Sequence, residues 1–342
     1  MSTGLRAAII GTGGVSAIHL EGYRAAGVEV VALCDNNEAV LAARMSQWQV
    51  TRGTTDMHEL FREGGFDLVS VAAPTAVHHP ATLAAARAGV HVLVEKPVAS
   101  SIELADEMIA ACREAGVVLM VNHQLRSSGP VVKARQLIEA GAVGAITHVR
   151  LRQAHDWGGQ QSVLPSFAAR TSSGGGTLLD NGCHLADLAH CLGGEVASVY
   201  ARLATRKFNI EVEDTAHASI EYAGGALGVI ETAWTATGWE EGFWVYGTHG
   251  ALESTNRTGP TALRHLFRSS PGGTWDATDV AEYRFTGASP HVRHVMAFVD
   301  AVRGRQPVAC TGEQGREAVR LILAAYASAA ANAPVRVEHV TA

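Results

Sequence analysis

The chain has 342 residues, 47% of them hydrophobic and 18% charged, with a formal net charge of −6 at pH 7. At roughly 100–200 residues per domain this length implies about two domains, and the small acidic excess offers no basic field for nucleic acid or an anionic membrane. Apolar residues are dispersed, with no run near the roughly 20 that span a bilayer, no secretory signal precedes the first strand pattern, and five cysteines without a CxxC pair fit reduced thiols in a cytoplasmic protein.

In chain order, "LRAAII", "VEVVALC", "FDLVSVAA", "VHVLVE" and "VVLMVN" are continuous apolar runs, the pattern of strands buried on both faces. Between them lie helix-like stretches: "EAVLAARMSQW", "HHPATLAAARAG" and "SIELADEMIAACREAG", the last opening at a Ser cap and closing at Gly116. This alternation predicts a doubly wound parallel sheet of Rossmann type over residues 1–123. From 124 to 342 the pattern changes. "EVASVYARLATRKF", "DTAHASIEYAGGALGVIETAWTA" and "FWVYGTHGALES" are strand-like runs broken by glycines, as in an antiparallel meander. Two helices near 290–303 and 313–331 complete an α+β domain, with the last helices free to pack back on the first domain.

The first turn reads "AAIIGTGGVSAIHLEGY", with Gly11, Gly13, Gly14 and Val15 directly after the opening strand and Ser16 where a third Gly or Ala usually stands. Such a turn lets a pyrophosphate approach backbone amides at a helix N-terminus. The second strand ends in "LCDNN", placing Asp35 and Asn36 about 20 residues on, where a carboxylate accepts hydrogen bonds from the adenosine ribose. That carboxylate repels a 2′-phosphate, and neither Asn36 nor Asn37 supplies a welcoming Arg, so NAD is favoured over NADP.

With "GTGGVS", "CDNN", "APTAVHHPATLAAARAGVHVLVEKP" and "GGGTLLDNGCH" in this order and spacing, the sequence resembles the Gfo/Idh/MocA oxidoreductase family. The resemblance implies a dinucleotide-binding domain followed by an α/β domain with a large, mostly antiparallel open sheet. It also implies that Pro74, Thr75 and His78 lie along the cofactor, Glu95 near its ribose and Lys96 at the nicotinamide end. Asn122, Gln124, Arg126, His155 and Trp157 are placed by the same resemblance at the mouth of the substrate site; the family usually has Arg at position 124. Such a lining suits a polyhydroxylated ring, a sugar, glycoside or cyclitol.

Lys96 closes a buried strand at the edge where doubly wound folds build their sites, and it precedes Pro97, a bond that can be cis. In "GGGTLLDNGCHLAD", Asp180, His184 and Asp187 fall at i, i+4 and i+7 of a helix, one stripe of its surface. Oxidation of an alcohol needs a base for the hydroxyl proton as well as a hydride acceptor. His184 suits the first task because its ordinary pKa lies near neutrality. Asp180, one turn away, stabilises the imidazolium; Lys96 orients the hydroxyl and favours its alkoxide. Asp187 reads as structural. Glycines 174–176 are expected to let substrate and cofactor come close to the backbone. His190 faces away from the stripe, and without a third ligand no metal is expected.

The leading reading is therefore an NAD-dependent dehydrogenase of secondary hydroxyls. One alternative is a lyase or glycosidase that oxidises transiently and recycles its NAD; another is a dinucleotide-binding regulator. The alternating "ALGVIETAW" puts apolar side chains on the open sheet face, which together with the resemblance implies a sheet-to-sheet homo-oligomer, a dimer or tetramer.

Overall fold

In the computed structural model, which describes residues 4–156, 169–257, 261–268 and 278–340, the expected alternation of strand and helix runs through the first third of the chain. Its elements are β1 (Arg6–Ile10), α1 (Ser16–Ala25), β2 (Glu29–Cys34), α2 (Glu38–Trp48), β3 (Gly53–Thr54), α3 (Met57–Glu63), β4 (Leu68–Val71), α4 (Thr75–Arg87), β5 (His91–Val94), α5 (Ile102–Glu114) and β6 (Leu119–Val121). After them come α6 (Gly129–Glu139), β7 (Ile146–Ala154), a helical turn at Arg170–Ser173, α7 (Thr177–Gly193), β8 (Val196–Ala204), β9 (Thr215–Tyr222), β10 (Leu227–Ala233), β11 (Glu240–Gly247), β12 (Gly250–Thr255), β13 (Ala262–Phe267) and β14 (Asp279–Arg284). The chain closes with α8 (Pro290–Val302), α9 (Gly312–Ala331) and β15 (Val335–Arg336).

The chain divides into two compact units, Met1–Ser128 with Ala288–Arg316, and Gly129–Gly287 with Glu317–Ala342. The first is built on an all-parallel sheet in the order β3-β2-β1-β4-β5-β6. Strand order reverses between β1 and β4, and such a switch point opens a crevice beyond the carboxyl ends of the strands. The sheet interior is apolar because both faces are covered: Ile9, Leu33, Leu68, Val92 and Leu93 are fully buried. α8 belongs to this unit although it arrives some 170 residues after β6. Its Val295, Phe298 and Val299 join Leu20 and Tyr23 of α1 in one core cluster.

The second unit carries a nine-stranded sheet ordered β14-β13-β12-β11-β7-β10-β9-β8-β15. β7 and β10 run parallel; the other pairs are antiparallel. The glycine-broken runs are hairpins, β9–β10 turning at Gly224 and Gly225 and β11–β12 at Thr248 and His249. Alternation along β9 buries Ala216, Ala218, Ile220 and Tyr222 and exposes His217, Ser219 and Glu221. α7 lies on the buried face, packed on β7 and β10. It buries Leu178, Leu185, Leu188 and Leu192, each worth about 2 kcal/mol of transfer free energy. α6 and β7 carry no clear signal in the sequence; β7 alternates His148, Arg150 and Arg152 against Val149, Leu151 and Gln153.

Among the described residues no helix is long and apolar enough to cross a membrane. Four of the five cysteines are buried, and burial pushes Cys34 up to about 11 and Cys112 up to about 12.

Because Phe298 is wholly buried in the first unit's core, Phe298→Ala is expected to cost about 3–5 kcal/mol. Hydrogen exchange checks this: peptides spanning residues 6–34, far from 298 in sequence, should lose protection in the variant.

Candidate active site

At the carboxyl edge of the parallel sheet two helix N-termini lack a side-chain cap. α1 starts at Val15 and α4 at Pro74 with no capping hydrogen bond, and neither has an acidic residue in its first turn. By contrast Asn37, Asp56, Ser101 and Ser289 cap α2, α3, α5 and α8. The two open termini follow β1 and β4, the strands that flank the switch point. Uncapped amides with a positive dipole end fit a pyrophosphate. The turn before α1 fits it too. Gly11 has φ +84°, and a Cβ there would lie 2.5 Å from the Ala72 carbonyl oxygen, so the turn lies tight against the chain leaving β4. Above Gly13 and Gly14 a Cβ would meet nothing within 4 Å, which leaves the backbone open to a ligand.

Asp35 closes β2 beside this turn. Its Oδ2 accepts from the Thr12 amide (2.7 Å) and hydroxyl (2.8 Å), and its Oδ1 accepts from the Asn37 amide (2.9 Å). Burial works against its charge, but these bonds outweigh it and hold the carboxyl below its usual range. The carboxylate therefore stays ionised at neutral pH with acceptor capacity to spare on Oδ1. Asn36 is exposed next to it. Arg44 of α2, missed in the sequence, donates from Nε to the Thr12 carbonyl (3.1 Å) and lies over the Trp48 ring. Its i, i+4 spacing to Trp48 was the available signal.

Lys96 follows β5, and its bond to Pro97 is cis. The residue before it is locked in the interior. Glu95 Oε1 meets His19 Nε2 at 2.9 Å and accepts from Asn122 Nδ2 at 2.5 Å, and its Oε2 accepts from the Lys96 amide at 3.2 Å. His19 Nδ1 continues to Ser70 Oγ (2.9 Å), which also bonds the Tyr23 hydroxyl (2.9 Å). Burial alone would raise the Glu95 pKa. The hydrogen bond and charge of His19, the Asn122 amide and the Lys96 ammonium more than offset it, holding the carboxyl at about 2. Sequence reasoning missed His19, a residue on the first-unit face of α1 with no motif of its own. It brings together two residues that were expected at different ends of the cofactor and substrate, Glu95 and Asn122.

The other expected residues of this unit are placed as follows. Pro74 is exposed and Thr75 half-buried at the start of α4. The His78 ring is buried between the carbonyl oxygens of Ala73 and Pro97, 2.9 Å from each, and so ties the chain after Lys96 to the start of α4. Gln124 and Arg126 are buried, and Arg126 Nη1 donates to Gln314 Oε1 (2.8 Å) and the Ala309 carbonyl (3.2 Å).

In the second unit the stripe Asp180, His184 and Asp187 lies on α7 as expected, with Asp180 half-buried, His184 buried and Asp187 fully interior. His155, just past β7, meets Asn181 Oδ1 at 3.0 Å, and its ring stacks on Trp239 with centroids 4.3 Å apart. Trp157 lies outside the described residues. Among those described, no three His, Cys, Asp or Glu side chains are grouped to hold a metal.

Two glycines of the run have a packing reason within the unit itself. A Cβ on Gly176 would fall 1.9 Å from the Glu213 carbonyl oxygen, and one on Gly175 would fall 2.2 Å from the Tyr326 hydroxyl. The glycines admit Glu213, which sequence reasoning missed because it precedes β9 in an unremarked "EVED". Its Oε1 accepts from the Gly176 and Leu178 amides at 3.0 Å each and from the Tyr326 hydroxyl at 2.8 Å. A buried carboxylate thus caps α7 and fixes the turn that presents Asp180.

Residues 5–123 match the model of the GFO/IDH/MocA oxidoreductase family, NAD-binding Rossmann fold, and residues 131–253 match the GFO/IDH/MocA C-terminal domain. A 1,5-anhydro-D-fructose reductase of Ensifer adhaerens is 31% identical over 325 residues, spanning 92% of this chain and 93% of its own. The myo-inositol 2-dehydrogenase of Thermotoga maritima is 27% identical over 343 residues, spanning 98% and 99%. A levoglucosan dehydrogenase in complex with NADH and levoglucosan superposes with a TM-score of 0.89 at 24% identity, covering 98% of this chain and 100% of that one. At that identity the likeness speaks for the fold.

The depressed Glu95 value sets a pH window. A carboxyl whose pKa falls from 4.5 to about 2 on folding contributes stability that is fully present above about 4.5 and is lost as pH falls toward 2. Urea titrations across that window should show wild-type stability dropping more steeply than that of Glu95→Gln, which starts lower at pH 7.

Proposed function

The chain belongs to the GFO/IDH/MocA oxidoreductase family, and from that premise we propose that this NAD-dependent enzyme acts on a secondary hydroxyl of a sugar, glycoside or cyclitol, with Lys96, Asp180 and His184 as the acting side chains. Bound NAD supplies the hydride acceptor. The observation that carries the reading is the pair of uncapped helix N-termini flanking the switch point, with the Asp35 carboxylate held ionised beside the glycine turn. That charge repels a 2′-phosphate, which favours NAD over NADP.

On this reading Lys96 orients the reacting hydroxyl and favours its developing alkoxide, helped by the clamp of Glu95 on the Lys96 amide. His184 takes the hydroxyl proton, and Asp180, one turn earlier on α7, stabilises the imidazolium. The substrate class is supported by the two relatives, whose names specify an anhydro-sugar and an inositol. Those names also specify net redox reactions, and the lyase alternative finds no support in them. Membership of an oxidoreductase family sets aside the purely regulatory reading.

A screen of sugars, glycosides and inositols with NAD and NADP, read at 340 nm, tests the proposal. NADH should accumulate with at least one polyol. Lys96→Ala and His184→Ala should each keep NAD affinity while kcat falls about 10²-fold or more. Near-normal turnover in both variants would remove these residues from the chemistry.

The face of the nine-stranded sheet opposite α7 supports a homo-oligomer. Across it run, in register, Val280, Leu266, Ala251, Tyr246, His148 and Leu227, of which Leu227, Val280 and Tyr246 are 58%, 56% and 43% exposed. Beside this apolar row lies a charge ladder, with Arg264 between Glu253 and Glu282 and Arg150 on Glu231. A second copy of the chain covers that face in the proposed assembly. Light scattering should give a dimer or tetramer mass, and Leu227→Glu with Tyr246→Glu should shift it toward the monomer.

A further inference from the structure

A polar row crosses the helix-covered face of the second sheet, where the neighbouring positions are Leu151, Ile230 and Phe243. Glu241 of β11, Gln153 of β7 and Thr232 of β10 stand side by side in register. Gln153 and Thr232 are 4% and 2% exposed, and Glu241 is half-buried at the start of its strand. Gln153 Nε2 donates to Glu241 Oε2 at 2.8 Å. The Glu241 backbone amide is itself pinned, donating to Asn256 Oδ1 at 2.9 Å.

The row has more hydrogen-bonding capacity than the described residues use. Gln153 Oε1 and Thr232 Oγ1 are both buried and have no hydrogen-bond partner among the described residues. An orphaned buried polar atom is costly, and a Leu or Val at either place would have been the better core residue. Nothing in the chemistry assigned to Lys96, Asp180 and His184 uses these groups. Their position gives them a use. Gln153 precedes His155 by two residues on the same face of the strand, so the row lies one step below the His155–Asn181 bond and the Trp239 ring. That ring is half-exposed, an aromatic face of the kind on which the C–H side of a sugar rests.

We propose that Glu241 is a substrate-binding side chain that grips a ring hydroxyl not being oxidised, and that Gln153 and Thr232 are its positioning residues, together setting which polyol is accepted. The inference rests on the polyol-dehydrogenase reading above and names the part of the second unit that selects among polyols. In this reading a ring hydroxyl donates to the Glu241 carboxylate held by the Gln153 amide; the Thr232 hydroxyl donates to that hydroxyl's oxygen, and Gln153 Oε1 accepts from a bridging water. Burial pushes the Glu241 carboxyl up from its ordinary range, with the Gln153 amide pulling the other way.

The test uses the NAD-loaded enzyme with myo-inositol, D-glucose, methyl glucosides and their monodeoxy analogues, in two readouts. Binding is followed by titrating the thermal shift; turnover is followed at 340 nm. Glu241→Gln keeps the side-chain volume, and Thr232→Val removes a hydroxyl without a partner among the described residues, so neither should lower the melting temperature of the sugar-free enzyme. The expected result is about a tenfold loss of polyol affinity and a matching rise in KM for Glu241→Gln, a smaller loss for Thr232→Val, kcat within twofold and NAD affinity unchanged. One deoxy analogue should bind wild type and Glu241→Gln alike, identifying the hydroxyl. Polyols that bind but are not oxidised would sink the dehydrogenase reading and leave this one standing. Polyols oxidised with unchanged KM in both variants would do the reverse, and no polyol binding at all would overturn both.

Discussion

A buried or half-buried carboxylate accepting backbone N–H groups is the interaction that fixes the loops carrying the candidate site residues. Asp35 holds the glycine turn through the Thr12 amide, Glu95 holds the turn at Lys96, and Glu213 holds the first turn of α7. Asp214 holds a fourth, accepting from the amides of Arg206, Lys207 and Phe208 at 2.7–3.1 Å. Each partner would be expensive alone: an ionised carboxylate out of water costs several kcal/mol, and an unmatched loop amide costs about 1–3 kcal/mol. Together they cancel, and the geometry of the loop is fixed as a by-product.

These anchors lie next to the half-buried side chains proposed for the chemistry, Lys96 and Asp180, and they are not those groups. Glu95 faces inward to His19 and Asn122 while Lys96 follows it. Glu213 sits under the glycines while Asp180 comes a turn later. A side chain whose neighbour is over-determined loses little entropy on meeting its ligand, which is what a reacting group needs. The N-termini of α1 and α4 show the complementary design. The lack of a side-chain cap costs little at a solvated edge and suits the anion proposed to bind there.

Most of the first unit was legible in the sequence because its signals are local. A continuous apolar run reads as a strand buried on both faces, and α2 begins and ends where "EAVLAARMSQW" does. The glycine turn, Asp35 and the stripe on α7 were likewise visible as spacing. The hairpins of the second unit could be read from glycines and alternation, but β7 could not. It sits at the centre of its sheet with Arg150 and Arg152 on the open face, so half its residues look like a surface loop.

The sequence alone thus determined the parallel doubly wound class of the first unit, the strand-and-hairpin character of the second, the glycine turn after β1 and the acid–imidazole stripe of α7, since each depends on neighbours within a few positions along the chain. Only the tertiary structure decided that α8 belongs with α1, that Glu95 bonds His19 and Asn122, that Glu213 caps α7 from 37 residues away, and that a polar row crosses the second core. Those pairings are set by which carboxylate reaches which amide once the apolar faces have packed. No periodicity along a chain encodes a partner that is chosen in space.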